Sequence, residues 1–203
     1  KGHVNVIKIL LERLTDSDRE SFIFLYKYKE FTPLYIAAQK GHANVIKVFV
    51  EGLPWYKRMS YFRTYHVFEK PLCIASQNGH VDVIKVFVEG LKNEDRERCL
   101  HKKTDSGATP LSIATKYGRA KVIKELLWGV SDEDALSYIY DAKNIIYKTE
   151  GKIYKDCKFC RSEAYYEVES IFRDYEGKEP LGRSLFRGIH RSIWGVDYFL
   201  KHN

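Results

Sequence analysis

Apolar residues along this chain recur at helical spacing, in short bursts separated by turn-forming residues. Val45, Ile46, Phe49 and Val50 fall at i, i+1, i+4 and i+5, and Val83, Ile84, Phe87 and Val88 repeat the spacing. Positions so related share one face of a helix, so each set predicts a short helix buried on one side. A second kind of segment stands just before each: Thr32-Pro33-Leu34-Tyr35-Ile36-Ala37-Ala38, then Lys70-Pro71-Leu72-Cys73-Ile74-Ala75-Ser76, and later Thr109-Pro110-Leu111-Ser112-Ile113-Ala114-Thr115. Its Pro suits the first helical turn, where a missing N–H costs nothing. Its small pair lets neighbouring helices approach closely. Gly41, Gly79 and Gly118 predict a left-handed helix end, and Asn44 and Asp82 favour the exposed N–H groups at the start of the next helix.

The whole unit is repeated. Pro33, Pro71 and Pro110 are 38 and 39 residues apart, and Lys1-Gly2-His3-Val4-Asn5-Val6-Ile7-Lys8 reads as the tail of another copy, so the chain is expected to be a piece of a longer array. Self-similarity at this period predicts stacked helical units, each burying its neighbour's apolar face.

The pattern Thr-Pro-Leu-x-x-Ala-x-x-x-Gly-His-x-x-Val-Ile-Lys resembles the ankyrin repeat, over residues 1 to about 130. The resemblance implies an all-α ankyrin-repeat solenoid. Two departures matter. The family's usual His after Pro-Leu is replaced by Tyr35, Cys73 and Ser112, so its loop-to-loop hydrogen bonds are absent or replaced. His3, His42 and His80, in the Gly-His position, are expected to close the turn between the two helices. The unit is also longer than the family norm of ~33 residues. Its excess recurs too: Arg19, Arg58 and Arg96 each stand five residues after Leu14, Leu53 and Leu91. An extra short helix per repeat is predicted, carrying Phe22-Ile23, Tyr61-Phe62 and Cys99-Leu100 inward. Ser17 with Glu20 reads as its capping box in one copy, and Asn93 as its start in another.

Repeats are assigned to residues 1–140, the first partial, and a helical C-terminal capping region to 141–203. Ser131 caps a helix expected to end near Tyr140. Residues 161–174 predict a helix with Ala164, Tyr165, Val168, Ile171 and Phe172 on one face. The stretch 181–200 is amphipathic, with Leu185, Phe186, Ile189 and Ile193 opposite Arg183, Arg187 and Arg191. A solenoid needs its last apolar face covered, which these helices suit. The alternative is that the basic helix 183–194 meets an acidic membrane surface or a partner groove.

Composition narrows the class. Hydrophobic residues make up 44% of the 203 and aromatics 14%, enough for an ordered core. No run of eighteen apolar residues occurs, and no signal segment is recognisable at the start. Of the net charge of +7, residues 131–203 contribute 12 Lys/Arg against 13 Asp/Glu, so the array is the basic part. Four cysteines do not suggest a disulfide scaffold, and a cytoplasmic setting is expected. Cys157 and Cys160 form a Cys-x-x-Cys pair, but zinc needs two more ligands and only His190 and His202 follow. No phosphate loop, nucleophile elbow or metal-protease motif is present, so no enzyme activity, cofactor, metal or small-molecule substrate is expected.

The resemblance implies that another protein docks at the hairpin tips and the concave end of the first helix. Position by position this names Gln39 and Lys40, Gln77 and Asn78, and Lys116 and Tyr117, with tip residues Tyr28, Lys29 and His66. Trp55 and Arg58 join them, from a linker (54–68) that mixes aromatic and basic residues as binding hot spots do. These positions vary between copies while the scaffold positions barely change. The expected function is a scaffold for protein–protein interaction. The alternatives are a targeting or substrate-recruiting arm of a larger effector enzyme outside this sequence, or membrane or nucleic-acid binding through the basic array. The lengthened repeats also look like ankyrin proteins that intracellular bacteria secrete, which would place the chain in a host cell's cytosol or nucleus.

Overall fold

In a computed structural model of the chain, the described residues are 3–24, 31–54, 56, 69–89, 93–101, 103–150 and 163–177. They form helices α1 (Val4–Glu12), α2 (Asp16–Phe24), α3 (Pro33–Gln39), α4 (Ala43–Glu51), α5 (Glu69–Asn78) and α6 (Val81–Val88). There follow α7 (Asn93–His101), α8 (Pro110–Lys116), α9 (Ala120–Leu127), α10 (Asp132–Glu150) and α11 (Glu163–Glu176). No strand occurs among the described residues.

The helices stack in two layers. In the inner layer α3 packs on α5, α5 on α8 and α8 on α10; in the outer layer α1 packs on α4, α4 on α6, α6 on α9 and α9 on α11. One core runs the length of the stack, through Leu34, Ile46, Phe87, Leu111, Ile123, Leu126, Ile139 and Phe172. The small pair lies at the inner-layer contacts, and Ala37, Ala38, Ala75, Ser76, Ala114 and Thr115 are all buried. Where a hydroxyl replaces the second Ala, it bonds back one turn: Ser76 Oγ donates to the Leu72 carbonyl and Thr115 Oγ1 to that of Leu111, each at 2.8 Å. The polar atom is thus satisfied without widening the seam.

Each inner helix begins and ends by local rules. Thr32 Oγ1 accepts from the Tyr35 N–H, and Thr109 forms a reciprocal capping box with Ser112. Ser112 thus serves its own helix start, in the place where the family usually has His. At the other end, Gly41, Gly79 and Gly118 take φ of +74°, +81° and +64°. The N–H of the next residue reaches back to Ala37, Ala75 and Ala114 at 2.9, 3.0 and 2.8 Å, closing three Schellman turns.

The extra helix is present as α2 and α7; its counterpart in the second full copy, with Arg58, Tyr61 and Phe62, lies outside the described residues. Ile23, Cys99 and Leu100 are buried as expected, whereas Phe22 stays partly exposed, edge-on to Phe49. The capping box expected at Ser17 is instead made by Thr15. Its Oγ1 accepts from the Asp18 N–H at 3.2 Å and donates to the Asp18 carboxylate at 2.6 Å. A cap two residues earlier lets Asp16 and Asp18 both face the helix N-terminus.

The last helices close the stack. Ser131 caps α10 as expected, accepting from the Asp134 N–H at 3.1 Å. The helix does not end near Tyr140; it continues to Glu150, across the boundary placed at 140/141. Ala142 and Lys143, just past that boundary, are buried, the Lys143 ammonium 5.1 Å from the Phe172 ring centre. In α11, Val168, Ile171 and Phe172 are buried against α9 and α10, while the side chains of Ala164 and Tyr165, like residues 151–162 and 178–203, lie outside the description.

Candidate protein-binding surface

The C-terminal ends of the inner helices line up along the stack, and their backbone carbonyls are tied to the following repeat. The Gln39 carbonyl accepts from Asn78 Nδ2 at 2.9 Å and from His80 Nε2 at 3.0 Å. A carbonyl can only accept, so Nε2 of His80 carries the proton. One repeat on, the Gln77 carbonyl accepts from Arg119 Nε at 2.8 Å. The histidine ring therefore does not close its own turn, as the sequence suggested. The backbone closes the turn and the ring reaches across the seam, because the Schellman N–H has already satisfied the local carbonyl.

This ties down part of the expected surface and leaves part open. Gln39, Gln77 and Asn78 are half-buried, and the Asn78 amide is engaged in the seam. Lys40, Lys116 and Tyr117 are exposed, with the Lys116 ammonium 5.7 Å from the Tyr117 ring centre. At the tips, Phe31 is exposed and edge-on to Tyr35 at 5.5 Å. The Thr104–Ala108 tip is closed by a 2.8 Å backbone bond, with Gly107 at φ +79°. Lys70 of one repeat lies 3.7 Å from Asp105 on this tip, an exposed pair that contributes little. Tyr28, Lys29, Trp55, Arg58 and His66 lie outside the described residues.

Two features escaped the sequence reading. The recurring Arg of the extra helix is a helix-end clamp. Arg19 Nε donates to the Leu11 carbonyl at 2.6 Å, and Arg96 Nη2 to the Glu125 carbonyl at 2.7 Å. Each cation thus meets the negative end of an outer helix. Arg96 is almost fully buried, its Nε without a partner, and burial pushes its guanidinium below its ordinary pKa despite the opposing Glu125 carboxylate. Its guanidinium lies 5.8 Å from the Trp128 ring, which is 71% exposed. That Trp stands where the other copies have Glu12, Glu51 and Glu89, and this break in the pattern was the available signal.

Among the described residues no group of His, Cys, Asp and Glu could hold a metal ion, and Cys157 and Cys160 lie outside them. No helix of the described residues is long and apolar enough to cross a membrane.

Paired helices in two layers, Gly-ended inner helices and a carbonyl ladder between copies define a helical repeat solenoid. Residues 29–54 match the family model described as ankyrin repeat, and residues 62–135 that described as ankyrin repeats in three copies; the chain belongs to the ankyrin-repeat family. No curated protein matches it. Ankyrin repeats generally mediate protein–protein interaction and are typically non-catalytic scaffolds.

Proposed function

We propose that this array binds another protein through its concave face and hairpin tips, with Lys40, Lys116 and Tyr117 among the contact residues. The observation that carries the reading is the contrast at the helix ends. The backbone there is locked from repeat to repeat, while neighbouring side chains differ between copies and face solvent. A surface already ordered loses little entropy on docking, so a modest number of contacts suffices for affinity. We place the protein in a reducing, cytosolic compartment, a reading supported by the burial of Cys73 and Cys99.

The test is photocrosslinking with a benzophenone amino acid at position 117, compared with position 85 on the outer helix α6. A protein adduct at 117 that Lys116→Glu abolishes, and that does not form at 85, supports the concave face. Equal adducts at both positions refute it. Salt-sensitive binding to anionic vesicles or duplex DNA, with no protein adduct, would favour the basic array as a membrane or nucleic-acid surface instead.

A further inference from the structure

The outer layer of the stack has five helices and the inner layer four, among the described residues. Helix α4 rests on α3, α6 on α5, α9 on α8 and α11 on α10; α1 has no inner helix of its own copy beneath it. The consequence shows at equivalent positions. Val6 is 57% exposed, whereas Val45, Val83 and Val122, which occupy its place in the later copies, are 3%, 0% and 0% exposed. Leu10 is 49% exposed, whereas Phe49, Phe87 and Leu126 are at most 2%. Ile36 of α3, on the next inner helix, is exposed as well, while Ile74 and Ile113 at its position are half-buried. The stripe therefore carries residue types that are core in three other copies.

The backbone entering α1 is already set for the missing neighbour. His3 has φ −75° and ψ 79°. His42, His80 and Arg119 have −81° and 68°, −81° and 79°, and −90° and 65°, and each of these follows an inner helix and its Gly turn.

We propose that this face, which is separate from the concave surface, is a binding seat for one further inner helix of the Thr-Pro-Leu-x-x-Ala-Ala pattern, joined in cis through the turn before His3. Such a helix covers Val6 and Leu10, packs its small pair against α3 beside Ile36, and completes the inner layer. The occupant is identified by what covers the same side chains three times over in this molecule. Leaving Val6, Ile9 and Leu10 in water forfeits burial that every other copy makes.

The test adds a copy of residues 31–39 directly before Lys1 of the full chain, which regenerates the Gln-Lys-Gly-His junction found at Gln39–His42. The amides of α1 are expected to exchange with solvent about tenfold more slowly than in the parent. Tm is expected to rise by roughly 3 °C or more. Both gains are lost in the extended chain carrying Val6→Asp. The proposal is overturned if a scrambled extension of the same composition performs as well. It is also overturned if the parent chain self-associates in sedimentation and Val6→Asp makes it monomeric, since a second copy then covers the face.

Discussion

The ring of His80 lies directly over Gly41 of the preceding repeat: a Cβ added to Gly41 would come within 2.7 Å of His80 Nδ1. The same ring donates from Nε2 to the Gln39 carbonyl. One side chain thus defines both the spacing of two repeats and the reason a glycine ends the first inner helix. At the next seam Arg119 takes the histidine's place, its Cδ 3.2 Å from a Cβ on Gly79.

Gly41→Ala therefore meets two obstacles, a left-handed φ and a collision with the seam. Gly107→Ala meets only the first, since nothing lies within 4 Å of its added Cβ. Urea denaturation should show a loss of about 2–4 kcal/mol for Gly41→Ala against about 1 kcal/mol for Gly107→Ala. Equal losses would remove the ring from the account.

Removing the ring should cost less than filling the space beneath it. His80→Ala loses one hydrogen bond to Gln39 and some packing, for about 1–2 kcal/mol. Arg119→His, which restores the residue type used at the other seam, should stay within about 0.5 kcal/mol of the parent. Thermal melts of the two variants give the comparison.

Arg96 should be replaceable by an apolar side chain but not by a short one. Its buried guanidinium holds the Glu125 carbonyl with one nitrogen and leaves Nε unmatched. Arg96→Met keeps the packing and removes the desolvation cost, so a change within about 1 kcal/mol is expected. Arg96→Ala opens a cavity as well and should cost about 2–3 kcal/mol. Trp128→Ala, an exposed position, should change the melt little.

Tyr138 gives the array a sensitivity to alkali. The phenol is buried edge-on to His101 at 4.3 Å, and burial, with help from Glu97 and Asp134, raises its pKa to about 12 from 10.0. A folded pKa above the unfolded one means that the folded state holds its proton longer. The contribution is whole below pH 10 and is lost as pH rises towards 12. Denaturant midpoints should fall more steeply across that window in the parent than in Tyr138→Phe.

Most of the architecture was legible because the repeat writes each rule several times. Pro at the first turn, Gly at the last and apolar residues at helical spacing are local requirements, and Pro33, Gly41 and Val45 meet them as expected. Less legible was anything set by a neighbour's geometry. Ser17 and Thr15 are both adequate caps, and only the packing of α2 selects Thr15. Helix α10 outruns its expected end because Ala142 and Lys143 find cover on α8 and α11, which no local signal announces. Of the expected contact residues, Lys40, Lys116 and Tyr117 proved exposed, while Asn78 was drawn into the seam by a carbonyl 39 positions away.

The residue order alone determined the repeating unit, its two main helices and the extra third, the turns between them and the family, since each follows from interactions within a few residues. The folded stack decided which nitrogen of His80 meets which carbonyl, why an arginine recurs in the extra helix, and that Val6 and Leu10 face water while their counterparts are core. Those outcomes depend on what lies one repeat away, about the distance between packed helix axes of 8–10 Å. Local periodicity carries no record of that neighbour until the copies are set side by side.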